Sequence, residues 1–143
     1  MSSSYAYTER VVVEAPAERV WSVMSDVERW HEWTASITSV DLHGQPMGPG
    51  ASATVRQPKL PTVDWTVTSY RPLEEFTWTS GGRGIRTVGR HLMRTQGTSV
   101  HVELAIEQRG PLAWLANLLL ARLTRRYLRL EAAGLKQRSE SPG

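Results

Sequence analysis

His91 is the residue whose type and setting point most directly to chemistry. Arg86, Arg90 and Arg94 recur with one strand's spacing, so a strand turns all three to water and points Ile85, Thr87, Gly89, His91 and Met93 inward. An inward imidazole can hydrogen-bond a ligand oxygen or act as general acid/base near neutral pH. Its plainer role is a core histidine satisfied by a neighbouring hydroxyl or backbone group. The second signal is six tryptophans against one phenylalanine. Trp33, Trp65 and Trp78 are candidates for lining a cavity, since each offers a broad apolar face and one N–H. Trp21 and Trp30 read as core. Gln57 adds an amide for a ligand oxygen or hydroxyl.

Other chemistries find little footing. No two histidines have a metal-ligand spacing, and the sequence has no cysteine, so neither a metal site nor a cofactor is implied. Asp64, Glu103 and Glu107 fall on the outward phase of their strands and Glu9 is ambiguous, which leaves no carboxylate pair. Ser22, Ser25 and Ser80 lack a histidine and an acid in a triad pattern. Gly81-Gly82-Arg83-Gly84 lacks the Lys-Ser/Thr ending of a phosphate loop and reads as a mobile cavity lip.

The elements that must position these residues are legible in outline. Thr8–Glu14 is rich in β-branched residues and predicts a strand. Ala15-Pro16 opens a helix with Ala17, Val20, Trp21 and Met24 inward, and Asp26 is a suitable N-cap for a second short helix carrying Trp30 and Trp33. Strands follow over Thr38–His43, Ala51–Gln57, around Val63–Val67, over Phe76–Ser80, from Ile85 and through Val100–Ile106. Turns such as Gly44–Gly50, Pro58–Pro61 and Gln96-Gly97-Thr98 separate them, too short for parallel crossovers.

A long helix closes the chain. From Pro111 to Ala133 nothing breaks it, which gives roughly 23 residues and about 35 Å. Leu112, Leu115, Ala116, Leu119, Leu123, Tyr127 and Leu130 share one face, so Leu115, Leu119, Leu123 and Tyr127 are expected on the cavity wall beside Thr87 and Met93. Trp114 and Leu118 fall opposite, near Arg122, Arg125 and Arg126. Another element covers them, or they serve a dimer or a membrane surface.

At 143 residues and 40% apolar content the chain forms one domain, with residues 1–5 and 137–143 expected to fray. No apolar run spans a bilayer, and Met1–Ser4 is too polar for a signal peptide, so a cytoplasmic protein is expected. A net charge of +3, spread over outer faces, argues against nucleic-acid binding.

The motifs Val13–Trp21 (V-E-A-P-A-E-R-V-W) and Asp26–Trp33 (D-V-E-R-W-H-E-W) resemble the START-like (SRPBCC) superfamily, specifically its polyketide cyclase/dehydrase-like branch. Trp65–Val67, Phe76–Trp78, the Gly97-Thr98 hairpin and Glu131–Lys136 extend the resemblance from about Tyr7 to Arg138. It implies an α+β helix-grip fold: about seven antiparallel strands curved around the C-terminal helix, with two short helices between strands 1 and 2. It also implies a cavity between sheet and helix. The leading expectation is therefore binding of a lipid-like, aromatic or polyketide-like molecule by a monomer or homodimer. The alternatives are a cyclase/dehydratase using His91 as general acid/base, and a peripheral membrane lipid-handling protein.

Overall fold

A computed structural model describes residues 3–142. Met1, Ser2 and Gly143, parts of the two ends expected to fray, lie outside the described residues. The order is β1 (Ser3–Val13), α1 (Ala17–Ser25), a 3-10 helix (Val27–Glu32), β2 (Ser39–Leu42), β3 (Ser52–Arg56), β4 (Val63–Arg71), β5 (Glu75–Gly82), β6 (Ile85–Gln96), β7 (Ser99–Gly110) and α2 (Ala113–Glu140). This is the α+β helix-grip fold.

All neighbouring strands pair antiparallel, in the order β1-β7-β6-β5-β4-β3-β2. Hairpin connections dictate the run from β2 to β7. The pairing of β1 with β7, Ser3 opposite Gly110 and Val13 opposite Val100, joins the two ends of the sequence. Alternation then sends Val63, Trp65 and Val67 inward until a bulge between Val67 and Ser69 shifts the phase. Val13, Val20, Met24, Phe76, Val100, Val102 and Leu135 are fully buried between sheet and helices.

Local chemistry departs from expectation at three places. Asp26 makes no side-chain cap; its carboxylate lies 3.5 Å from Arg29, and the segment it starts is a 3-10 helix, the form suited to so short a run. Gly81 and Gly82 belong to β5 rather than to a loose lip, and the tight turn at Arg83-Gly84 is tied to α2 because the Leu112 N–H donates to the Gly84 carbonyl at 2.8 Å. The long helix begins at Ala113, not Pro111, and continues past Ala133 to Glu140.

The rotation of α2 is the largest correction. Its buried residues are Ala113, Tyr127, Leu128, Ala132, Gly134, Leu135 and Ser139, whereas Leu115 is 37% and Leu119 69% exposed. The true face lies about one residue, roughly 100°, around from the leucine stripe. Leucines surround the first half of the helix, so periodicity fits several phases, and long-range contacts choose among them. The Tyr127 hydroxyl donates to the Pro58 carbonyl, and the Tyr7 hydroxyl donates to Asn117. Arg125 stands 5.2 Å over the Tyr7 ring. Gly134 packs against the Trp33 carbonyl so closely that a Cβ there would sit 2.0 Å from its oxygen.

Candidate functional site

A pocket of about 210 Å³ lies between the inner face of the sheet and α2. Its sheet wall is aromatic. Trp65 and Trp78 on adjacent strands stack at 5.5 Å with 28° between planes, and Trp30 meets Trp78 edge-on at 5.3 Å. The register makes room for this: Trp78 pairs with Gly89, where a Cβ would lie 3.0 Å from the indole. Leu120, Thr124, Tyr127, Leu128, Glu131 and Leu135 form the helix wall at three- and four-residue steps.

His91 stacks on Phe76 at 4.1 Å and 12°, with Trp30 and Trp78 at 5.4 and 5.8 Å. Its Nδ1–H donates to the Phe76 carbonyl at 3.2 Å, which fixes the tautomer and leaves Nε2 as an acceptor. Burial in this aromatic cage lowers its pKa to about 4, against smaller raising effects from the Phe76 carbonyl and Glu75. The imidazole is therefore neutral at physiological pH. From the helix side Glu131 presents a carboxyl with no hydrogen-bond or ion-pair partner among the described residues, and burial pushes its pKa up to about 8. It too is mostly neutral at pH 7. The pocket thus combines a hydrogen-bond acceptor and a protonated carboxyl in an apolar setting.

Among the residues singled out from sequence, Trp33, Gln57, Trp65, Trp78, Thr87, His91 and Tyr127 line this pocket. Gln57 uses its amide N–H₂ on the Ser36 carbonyl at 3.2 Å, which leaves its oxygen available. Met93 has the right strand phase but is buried in the core, away from the wall. Leu115, Leu119 and Leu123 are off the wall because of the helix rotation. Trp30, read as core, lies on the wall as well, its indole N–H bonded to the Met24 carbonyl at 3.0 Å. Glu131 does not stand out in the sequence because the leucine stripe points to a different face of α2. The available signal was its position as the lone acid among the apolar residues from Leu128 to Leu135. On the outer sheet face, His43 bonds Ser52 and Thr54 at 2.8 and 2.7 Å, an exposed cluster that does not line this pocket. Among the described residues no group of three His, Asp or Glu is placed to hold a metal.

The family model for "Polyketide cyclase / dehydrase and lipid transport" matches residues 5–140. The chain belongs to that family, within the START-like superfamily. A search of curated proteins found no match for this polyketide cyclase/dehydrase family member. Solved structures share its fold at low identity. A hypothetical protein from Helicobacter pylori superposes with a TM-score of 0.83 at 11% identity, covering 95% of this chain and 88% of that one. Norcoclaurine synthase from Thalictrum flavum, in complex with dopamine and hydroxybenzaldehyde, gives 0.74 at 11%, covering 95% and 86%. The di-domain ARO/CYC BexL from the BE-7585A biosynthetic pathway gives 0.76 at 16%, with 98% of this chain matching 51% of that one.

Proposed function

We propose that this family member binds a small, flat, hydrophobic molecule of aromatic character between the sheet and α2. The observation that carries this reading is the stacked Trp65–Trp78 pair in a pocket whose helix wall carries Leu120, Leu128 and Leu135. The space, about 210 Å³, is below the roughly 300–1,000 Å³ of drug-sized ligand pockets, which favours one or two rings over a sterol or long acyl chain. Norcoclaurine synthase, of the same fold, is solved with single-ring molecules. A cytoplasmic location is proposed with it, a compartment with which the cysteine-free sequence is compatible. Binding is preferred to a cyclase or dehydratase route through His91, because an imidazole held near pKa 4 has no proton to donate at pH 7 and is a weak base. The test is quenching of tryptophan fluorescence by 2-naphthol. Saturable quenching is expected, weakened about tenfold by Trp78→Leu through loss of the stacking surface. Unsaturable quenching, identical in the variant, would overturn the reading.

A second reading, contact with an anionic membrane surface, is favoured by the outer face of α2. Trp114 is 50% and Leu118 70% exposed, with Leu112 and Leu119 beside them. Arg122, Arg126 and Arg129 continue along the same exposed side, with no salt bridge among the described residues. Apolar anchors followed by cations suit a headgroup layer. No helix among the described residues is long and apolar enough to cross a membrane. The protein is expected to float with phosphatidylglycerol liposomes and not with phosphatidylcholine ones, and Trp114→Ala/Leu118→Ala should cut flotation about tenfold. Undiminished flotation of that variant would remove this surface from consideration. A loss of dimer in the variant, without liposome binding by the parent, would assign the patch to a second copy instead.

A further inference from the structure

We propose that Glu131 and His91 form a two-point recognition site for an uncharged hydroxyaryl ketone: the Glu131 carboxyl donates a hydrogen bond to the ligand carbonyl, and His91 Nε2 accepts one from its hydroxyl. The inference rests on the pocket reading above and names the ligand class for that same site.

The two groups approach from opposite layers, Glu131 from α2 and His91 from β6, and both line the one pocket. The hydrogen-bonding character of each is fixed. His91 spends its N–H on Phe76, so Nε2 can only accept. Glu131 has no cation to hold it ionised. The other titratable groups on the wall are Arg90, His91 and Tyr127. Arg90 is engaged with Glu107 at 3.3 Å, and the Tyr127 hydroxyl is committed to Pro58. A lone carboxylate in such a setting is costly, so the group keeps its proton and becomes a donor. Ser80, Thr87, Thr124, Gln57 and Gln108 also line the pocket, but a hydroxyl rotates to donate or accept and an amide carries both a donor and an acceptor, so none of them imposes such a choice. For a carboxylate ligand the one cation on the wall, Arg90, is already paired with Glu107 and no second cation lines the pocket among the described residues, and an aliphatic hydrocarbon leaves both groups unsatisfied.

Calorimetric titration at pH 6.5 with 4-hydroxyacetophenone, acetophenone, 4-ethylphenol and tyramine separates the two points. Glu131→Leu should weaken both ketones about tenfold, the worth of one buried hydrogen bond, and leave 4-ethylphenol within about twofold. His91→Leu should weaken the two phenols lacking an amine and spare acetophenone. Glu131→Gln, whose amide still donates, should keep the ketones within about threefold. Should Glu131→Leu fail to fold, Glu131→Gln serves at pH 9, where it keeps an acetophenone affinity that the parent protein loses on ionisation. Equal weakening of all probes by either leucine variant would mean packing alone, and overturns the proposal. So does tyramine binding best through Glu131, which would make the site a cation site. If probes bind without discrimination, only this inference falls. If none binds the parent protein, the pocket reading falls with it.

Discussion

Between pH 4.5 and 8 the stability of Glu131→Gln relative to the parent protein rises by up to roughly 4–5 kcal/mol, the upper bound for a carboxyl that keeps some contact with solvent. Burial raises this carboxyl from 4.5 to about 8 on folding. Below pH 4.5 the folded and unfolded chains both carry the proton, and the group imposes no penalty. As the pH climbs, the unfolded chain releases its proton while the fold retains it. Unfolding is then favoured by about 1.4 kcal/mol per pH unit until the folded carboxyl ionises near 8. Glutamine has no proton to lose and escapes the penalty. Urea denaturation of both proteins across this range measures the difference. A difference that stays constant with pH would show that Glu131 ionises normally in the fold and has a partner there.

His91 acts in the opposite direction. Its pKa falls from 6.5 to about 4 on folding, chiefly through burial. Above pH 6.5 both states are neutral and the native contribution is complete. On acidification the unfolded chain takes up a proton that the fold refuses, so roughly 3 kcal/mol is lost by pH 4. His91→Gln should therefore gain on the parent protein by that amount as the pH drops from 6.5 to 4. In the parent the two slopes oppose and cancel between pH 4.5 and 6.5. Each single variant uncovers the other group's slope: Glu131→Gln becomes more stable as the pH rises toward 6.5, and His91→Gln becomes less stable. Parallel curves for His91→Gln and the parent would mean that the imidazole is solvated and titrates as an ordinary histidine.

These two groups also mark how far the sequence could be read. His91 is legible from strand parity along β6, set by the exposed Arg86 and Arg94; Arg90, expected to face water with them, is instead part-buried, pairs with Glu107 and also lines the pocket. The same rule placed Trp65, Trp78 and Thr87 on the inner face, where the pocket lies. Glu131 was invisible because a helix whose first half is leucine on every side has no unique phase. The rotation of α2 is set by Tyr127 on Pro58, Tyr7 on Asn117 and Gly134 against Trp33, each pairing residues far apart in the chain. The electrostatics of both groups follow from burial, which no local pattern reports.

The sequence by itself determined the order of elements, the antiparallel sheet, the long closing helix and the family, because these rest on alternation, turn residues and local motifs. Only the tertiary structure decided which side of that helix meets the sheet, that β1 closes against β7, and that Glu131 and His91 share one pocket in which burial moves both toward their neutral forms. Those outcomes depend on contacts between residues far apart in the chain, such as Tyr7 and Asn117, 110 positions from each other, and on the desolvation that packing creates.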